Sequence, residues 1–486
     1  MKRSTTPSFS LEIKLKTSRK DESFLNDCFF AGFLLHNEMV SYCKEQLSKL
    51  RSDKRYKETI EKRRKARKQS TKDKYAAILK ERIAYYGLRE SDLYSYVKTI
   101  RPECIDSLMA QSIASDVYTG VSKVLYSEWK QVHFVKFNVF TTLSGRNNIS
   151  GLKIRGDKLI WNKRTIELQF PKHKNTKART YFDIAIRHRI KYVRLIRRCF
   201  SGRDHYYVQL VLEGKPPIKH AYGEGNCGID IGTGSIAVVT DTSVMLETLN
   251  KGIKDYDPEI QTYQAKMSHK LRIANPGNYD QDGRIKKGCK TWKKTKAYQK
   301  VSRQKRSLER KYQASLKQHH NITANKIIEQ SDRVFVEKMN FKALQKKAKQ
   351  DPENPNKKRK RFGHSIKTFA PAMLLDVIDR KLFYEGKSLR KVNTKTYRAS
   401  QYNHVKDEYV KKRLNERVDE LKKGVRVQRD LYSAFLLKNA NRTLEHASLW
   451  KCRRTFKKFK EMHDMYIAML KASGETYPSS FGLNEL

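Results

Sequence analysis

An aspartate in the middle of an apolar run constrains the fold more than any other feature of this chain. The run Cys227 to Ile231 contains Asp230, continues through Gly232-Thr233-Gly234, and leads into a second apolar run at 236–240. This pattern predicts two strands, at 227–231 and 236–240, joined by a turn that glycine permits. A charged carboxylate inside a buried strand is costly unless it is paired, and a divalent metal ion is the usual partner.

Two further carboxylates are placed on predicted regular elements. Glu337 ends a predicted strand at 333–337, and Asp430 lies in the first turn of a predicted helix that continues to 438, where the helix dipole favours negative charge. Taken singly, Asp230 could be a turn residue, Glu337 a salt-bridge partner of a lysine, and Asp430 a helix N-terminal charge. The ordered set is more specific, because an RNase H-like fold carries its catalytic carboxylates on a strand, a strand and a helix.

Three such carboxylates can hold two metal ions about 4 Å apart, one to activate the attacking water and one to stabilise the leaving oxygen. Oxygen ligands with no cysteine or histidine nearby suit Mg²⁺ or Mn²⁺ better than zinc. The sequence therefore predicts Asp230, Glu337 and Asp430 as catalytic metal ligands.

The charge of the chain restricts its partners. Its 486 residues include 104 Lys and Arg against 51 Asp and Glu, a formal net charge of +53. A surface this positive argues against small-molecule metabolism as the main activity and calls for a polyanion. The basic residues form many blocks, among them 62–68, 284–311 and a loop predicted at 351–364 that we expect to be mobile, which favours a nucleic acid bound along the chain.

Other patterns bear on the compartment. No apolar run approaches the ~20 residues needed to cross a bilayer, and the N-terminus lacks the apolar core of a signal peptide. Seven scattered cysteines include no C-x-x-C pair, which indicates a reducing compartment. We expect a cytoplasmic, nucleoid-associated prokaryotic protein without a membrane partner.

Periodicity divides the chain. Alternation at 9–15 predicts a strand, helical spacing dominates from about 21 to 130, and short strands return from about 133 to 213. A linker rich in Pro and Gly follows at 214–225. The second half adds a long basic helix at about 297–330, a helix at 370–383 and a strand near 388–393.

Several motifs of the second half resemble the TnpB transposon-encoded nucleases and the related miniature type V CRISPR effectors. They are Gly228-Ile229-Asp230-Ile231-Gly232, Phe335-Val336-Glu337-Lys338-Met339-Asn340, Ser400-Gln401 and Arg429-Asp430. The resemblance implies an RNA-guided, RuvC-type DNA endonuclease with Asp230, Glu337 and Asp430 as its catalytic carboxylates. Its partners would be a guide RNA and target double-stranded DNA, with one or two copies of the protein on each RNA.

The implied fold is α+β and multidomain. A wedge β-barrel with an inserted helical recognition lobe is followed by an RNase H-like (RuvC) α/β nuclease domain. The expected segments are the wedge domain at 1–20 and 133–222, the helical lobe at 21–132, the RuvC core at 223–393, a helical insert at 394–428, the last RuvC helix at 429–440, and a basic C-terminal tail at 441–486.

One departure from the family concerns zinc. Relatives usually place two cysteine pairs between the Ser-Gln motif and the last Asp, building a zinc ribbon. Here no cysteine occurs from 290 to 451, and Val410, Leu414, Val418 and Leu421 have helical spacing. We therefore expect a zinc-free helical segment in place of the ribbon. Gln428 also stands where many relatives have an additional Asp.

Three alternatives stay open. The segment 230–235 is similar to the phosphate-binding hairpin of actin-like ATPases and sugar kinases, although the second Gly-rich hairpin of that class is missing. An RNA-guided repressor that does not cleave, and an RNA-binding protein that only matures or protects a transcript, are the others. The source of the guide, a transposon end or a CRISPR array, is not readable from the sequence.

Basic residues supply candidates for nucleic-acid contacts, because cations bind phosphates and interleaved aromatics can stack on bases. The candidates are Lys62, Arg63, Arg64, Lys293, Lys294, Arg303, Arg306, Lys358, Arg359, Arg361, Arg413, Arg417, Arg453 and Arg454.

Overall fold

The computed structural model describes residues 6–127, 129–170, 176–200, 202–217, 221–288, 291–346, 362–413 and 416–486. The chain forms two compact units, 1–217 and 218–486, and the division falls within the linker expected at 214–225. In the described residues, no helix has both the length and the apolar character needed to span a membrane.

The first unit contains a seven-stranded antiparallel sheet with the order β2-β6-β7-β1-β5-β4-β3. Its strands are β1 (Ser8–Lys16), β2 (Thr142–Ser144), β3 (Lys153–Arg155), β4 (Lys158–Trp161), β5 (Arg164–Gln169), β6 (Ile190–Phe200) and β7 (Arg203–Glu213). Strand β1 buries every second residue, as its alternation predicted.

The expected wedge β-barrel is not closed. Within the described residues the sheet ends at β2 on one side and at β3 on the other, and these two strands do not pair. Each has only three residues, which offers few backbone groups for the hydrogen bonds that closure requires. The first unit therefore carries an open sheet.

In the sequence, five described helices lie between β1 and the other strands of this sheet. They are α1 (Arg19–Ser52), α2 (Lys54–Lys65), α3 (Gln69–Tyr85), α4 (Glu90–Ile100) and α5 (Ser107–Tyr126), and α6 (Thr176–Ala185) follows β5. The helical stretch predicted at 21–130 is thus confirmed. Helix α1 begins at a capping box formed by Ser18 and Asp21, which satisfies backbone N–H groups at its first turn.

A five-stranded mixed sheet, ordered β10-β9-β8-β11-β12, lies at the centre of the second unit. Strands β8, β9 and β10 form an antiparallel meander, and β11 and β12 run parallel to β8. These strands are β8 (Asn226–Ile231), β9 (Ser235–Val239), β10 (Val244–Thr248), β11 (Arg333–Glu337) and β12 (Arg390–Val392). The strands predicted around Asp230 and before Glu337 are confirmed.

Helices cover both faces of this sheet. They are α7 (Asp257–Ala274), α8 (Lys296–Ile328), α9 (Phe341–Leu344), α10 (Gly363–Phe369), α11 (Pro371–Tyr384), α12 (Thr394–Tyr397), α13 (Arg429–Lys438) and α14 (Leu449–Ala472), with 3-10 turns at Pro276–Asn278, Ala399–Gln401 and Ser479–Phe481. One face of the sheet packs against α8 and α11, and the opposite face packs against α13 and α14. The long helix predicted at 297–330 is confirmed as α8.

The predicted helical insert at 394–428 is wrong. Apart from α12 and the 3-10 turn Ala399–Gln401, the regular elements described in the segment are short strands: β13 (Tyr402–Asn403), β14 (Glu408–Tyr409), β15 (Val418–Lys422) and β16 (Val425–Gln428). Gly424 has φ +77° and makes the turn between β15 and β16. Asp419 and Leu421 are buried on alternate positions, so the spacing of Val418 and Leu421 reflects a hairpin. Leu414 lies outside the described residues.

The expected basic C-terminal tail at 441–486 is also corrected, because most of it is a helix packed on the core. Residues 449–472 form α14, which buries Cys452, Phe459, Ile467 and Leu470 in the core that includes α13. The helix is amphipathic, and its apolar stripe is what ties it to the sheet. Of the loop predicted at 351–364, residues 351–361 lie outside the described residues, and α10 begins at Gly363.

Candidate carboxylate site

Strand register brings two of the predicted carboxylates side by side. In the parallel pair of β8 and β11, Ile229 is level with Val336, so Asp230 and Glu337 are the next residues along adjacent strands. Ile229 and Val336 face the α8 side of the sheet. Because side chains alternate along a strand, Asp230 and Glu337 both face α13.

Helix α13 lies directly on β8. A Cβ atom built on Gly228 would lie 1.9 Å from the carbonyl oxygen of Ala434 and 2.4 Å from the amide nitrogen of Lys438. Only glycine permits so close an approach of helix and strand. The helix carries Asp430 in its first turn, so this contact sets the third carboxylate over the face that holds the other two.

Both ends of α13 are fastened. At the first turn, the Gln428 side-chain oxygen accepts a hydrogen bond from the Leu431 backbone amide at 2.7 Å. The Gln428 backbone amide donates to His463 Nε2 at 2.9 Å. At the last turn, the buried Lys438 pairs with Asp241 at 2.8 Å. These contacts satisfy orphan groups of the helix and fix its position on the sheet.

The electrostatics of the site are centred on Asp230, whose pKa responds to both of the other carboxylates. Burial raises the pKa of Asp230 well above its usual range, and the nearby charges of Asp430 and Glu337 raise it further. Arg429 and Ser433 offset part of this rise. The pKa of Glu337 is also raised by burial, and a hydrogen bond from the Ala399 backbone amide opposes that rise. The part of the Asp230 shift that comes from Asp430 and Glu337 is repulsion between like charges, which disfavours the ionised carboxylate.

Arg429 is the cation next to Asp430. Its Nε atom lies 3.4 Å from Asp430 Oδ1, a distance too long for a strong charge-assisted hydrogen bond. Its Nη1 atom donates to the backbone oxygens of Glu416 at 2.7 Å and Arg413 at 3.4 Å. The guanidinium is therefore held mainly by the chain before β15, and Asp430 is left with one weak partner among the hydrogen bonds described.

A divalent cation fits these residues chemically. The donors are carboxylate oxygens, which Mg²⁺ and Mn²⁺ prefer, and a cation would relieve the repulsion that raises the pKa of Asp230. Among the described residues, no three Asp, Glu, His or Cys side chains converge tightly enough to form a ready-made cation site. The carboxylates thus share one face and one electrostatic field without a closed coordination shell.

The candidate nucleic-acid residues are distributed over several elements. Lys62, Arg63 and Arg64 are exposed in the last turn of α2, Lys293 and Lys294 precede α8, and Arg303 and Arg306 are exposed on α8. Arg453 and Arg454 are exposed on α14. Lys358, Arg359 and Arg361 lie outside the described residues.

Arg413 and Arg417 belong to the neighbourhood of the carboxylates. They precede β15, where their backbone oxygens accept hydrogen bonds from the Arg429 side chain and the Arg429 amide respectively. They were predicted on a helix, but neither residue belongs to a helix or strand. The structure therefore places their backbones beside the motif Arg429-Asp430.

Sequence reasoning missed Lys412 and Asp419. The two side chains form an ion pair of 2.6 Å, and Asp419 is only 3% exposed. The signal was present in the pattern Val418-Asp419-Glu420-Leu421, where an acidic residue occupies the same strand face as a buried leucine. It was hidden because the segment was interpreted with a helical period.

Comparisons with known proteins give distant structural similarities. No family model matches the chain, and no curated protein matches it in sequence. A cryo-EM structure of a Cas12f1–sgRNA–target DNA complex is similar with a TM-score of 0.47 and 11% identity, over 89% of this chain and 99% of that chain.

Two further similarities are weaker. A CRISPR–Cas12f ternary complex has a TM-score of 0.24 and 14% identity, over 87% of this chain and 86% of that one. A Cas12i–crRNA–dsDNA complex has a TM-score of 0.27 and 11% identity, over 79% and 55%. At these values the similarities do not establish a family or an activity for this chain.

Proposed function

We propose that the protein is an RNA-guided DNA endonuclease that cleaves double-stranded DNA by metal-dependent hydrolysis of phosphodiester bonds. The observation that carries the proposal is the set of three acidic residues where α13 packs on the second sheet, two on adjacent strands and one on the helix, with Asp430 and Glu337 both raising the pKa of Asp230. A repulsive cluster of this kind costs stability, and it is typical of a site that binds cations.

Asp230, Glu337 and Asp430 would hold one or two Mg²⁺ or Mn²⁺ ions. The ions would supply a nucleophilic water and stabilise charge on the leaving oxygen. The protein's own contribution is positional. Adjacent strands fix Asp230 and Glu337 in register, and the close contact at Gly228 sets the distance of α13 from them.

The nucleic-acid part of the proposal rests on charge and on the resemblance of the motifs. A net charge of +53 favours a polyanionic partner, which would reduce the repulsion between the positive charges. Exposed cations on α2, α8 and α14 can bind phosphates without reading bases. In this proposal a guide RNA specifies the target by base pairing, and the protein reads a short duplex motif beside it.

The proposal includes no structural zinc. The hairpin β15–β16 is held by Leu421 and Val427, which are buried, and apolar burial needs no ion. We expect elemental analysis of the purified protein to find less than one zinc per chain, and a zinc-selective chelator to leave cleavage intact. One zinc per chain that is lost together with activity would contradict this part of the proposal.

The experiment that tests the function begins with the RNA that copurifies with the protein. Its sequence defines the guide, and the complex is then supplied with plasmids that carry a matched or a scrambled target. We expect Mg²⁺-dependent cutting of the matched plasmid alone. Guided binding without cutting, with the three carboxylates intact, would replace the proposal with a binding protein of the repressor kind.

A further inference from the structure

Two unsatisfied polar groups lie close to the start of α13. Within the described part of the chain, the buried side-chain polar atoms that lack a hydrogen-bond partner include one atom of Asp419 and one of Gln428. Gln428 immediately precedes α13, and Asp419 is on the strand paired with β16. Buried groups without partners are rare and mark sites with a further role.

Asp419 is the charged member of this group. One carboxylate oxygen accepts a hydrogen bond from Lys412 Nζ at 2.6 Å, with side-chain exposures of 3% and 17%, and the other has no partner. Burial raises the pKa of Asp419, and Lys412 and Arg429 lower it. The charge of Asp430 raises it, so the field of Asp419 also reaches the candidate catalytic carboxylate.

Four charges are therefore found near the start of α13: Lys412 pairs with Asp419, and Arg429 lies next to Asp430. Asp419 interacts with both cations and with Asp430, so its negative charge offsets part of the positive field next to Asp430. Arg429 is only 11% exposed and Asp430 20%, so solvent screens these charges weakly.

We propose that Asp419 is a positioning residue that keeps Asp430 available to a divalent cation by offsetting the charges of Arg429 and Lys412. This inference rests on the proposed metal-dependent function. Without the Asp419 charge, the field of the two cations falls on Asp430 alone, and Arg429 is drawn toward the Asp430 carboxylate from its present 3.4 Å. Cation binding and the Arg429 contact then compete for the same oxygens.

The main test is Asp419→Asn, which keeps the shape and removes the charge. We expect the Mg²⁺ concentration for half-maximal cleavage of a matched plasmid to rise on the order of 10-fold, with the rate at saturating Mg²⁺ changed much less. The matched control is Glu420→Gln, the same chemical change at the exposed neighbour on β15, for which we expect no shift.

A readout independent of DNA cleavage uses Fe²⁺ with ascorbate and H₂O₂. Fe²⁺ bound at the site reduces H₂O₂ to hydroxide and a hydroxyl radical that cuts the polypeptide near residues 230, 337 and 430, and ascorbate reduces the resulting Fe³⁺ back to Fe²⁺. The Fe²⁺ concentration for half-maximal cutting of the polypeptide should rise in parallel for Asp419→Asn. Thermal melts in chelator show whether the variant is folded. An unchanged Mg²⁺ and Fe²⁺ dependence in folded Asp419→Asn would overturn the inference.

Lys412→Met gives a test of the opposite sign, and it holds even if Asp419→Asn does not fold. Removing this cation should lower the half-maximal concentrations of Mg²⁺ and Fe²⁺, and adding it to Asp419→Asn should restore values near the wild type. A purely structural role predicts instead that Lys412→Met weakens cation binding or leaves it unchanged. Cleavage by Asp230→Ala would overturn the proposed function itself, an outcome separate from both results.

Discussion

Helices α13 and α7 belong to the same unit and differ in how much of each helix is buried. Nine of the ten residues of α13 are buried, and the exception is Asp430. None of the 18 residues of α7 is buried, and the helix packs against α8. Helix α13 is thus stabilised by packing on all sides, whereas α7 is stabilised by contacts with α8 along one partly exposed face.

The difference indicates which side chains must be held in an exact position. A carboxylate that must be held against two others is carried on a helix that the core fixes on every side. A basic surface that meets a flexible polyanion can be carried on a helix with little burial, because phosphate contacts depend on charge more than on exact position. We therefore expect changes around α13 to affect chemistry and stability, and changes on α7 and on the exposed face of α8 to affect nucleic-acid affinity.

The largest effect is expected from Asp430→Asn. Loss of a metal-binding carboxylate removes several kcal/mol of transition-state stabilisation, so the cleavage rate should fall by about a thousand-fold or more. Guided DNA binding should persist, because affinity comes from the basic surface. Cleavage kinetics and gel shifts on the same preparation measure both, and a cleavage rate within threefold of the wild type would remove Asp430 from the site.

A second prediction concerns the contact of α13 with β8. In Gly228→Ala the new methyl group meets the backbone of α13 at 1.9 Å, so the helix must move, at a cost of about 3 kcal/mol of unfolding free energy. The matched control is Gly277→Ala, near the end of α7, where the added Cβ meets no atom within 4 Å.

Denaturant unfolding of the two alanine variants compares the two helices directly. We expect a large loss of stability for Gly228→Ala and a change within about 0.5 kcal/mol for Gly277→Ala. Equal stabilities would show that α13 is not held as closely to the sheet as described.

The exposed face of α8 gives a third, smaller effect. Reversing Arg303 and Arg306 to Glu should weaken binding of the nucleic acid about 10-fold at physiological salt and reduce the salt dependence of binding. The melting temperature should not fall, because both side chains are exposed and their hydrogen bonds to described residues are to backbone oxygens of their own helix. Filter binding across a salt series measures the affinity, and the Gln variants should give about half the effect.

The smallest effect is a gain in stability. In the metal-free protein the pKa of Asp230 is raised above its unfolded value, so the folded state binds more protons and its stability falls as the pH rises through the range between the two values. Asp230→Asn removes this cost and should stabilise the protein by about 1 kcal/mol at neutral pH without divalent ions. Thermal melts in chelator should show the gain shrinking as the pH is lowered, and a gain that grows at low pH would contradict the assignment of Asp230.

The comparison also separates what the sequence predicted from what it did not. Asp230 and Glu337 were predictable because each is set in a short apolar strand, and Asp430 because it opens an apolar helix. Their convergence on one face was not readable from spacing, since it depends on the parallel register of β8 and β11 and on the close contact at Gly228.

The segment before α13 was misread for a physical reason. Val418 and Leu421 are three residues apart, a helical spacing, although they lie on opposite faces of the strand that forms. The buried acidic residue between them breaks the apolar alternation that identifies a hairpin. The alternation of Asp419 with Leu421 is present in the sequence, but the partner of Asp419, Lys412, precedes it by seven residues and lies outside that strand. The pairing of the two charges is information that the strand pattern does not contain.

The most direct test of the central claim compares cleavage of a matched plasmid by the wild type, by each of Asp230→Ala, Glu337→Ala and Asp430→Ala, and by the triple variant, in saturating Mg²⁺. If the three carboxylates act as one metal-dependent centre, each single variant will be about as inactive as the triple variant, because residues that act as a unit are not additive. Substantial cutting by any single variant, or losses that simply add, would contradict the account.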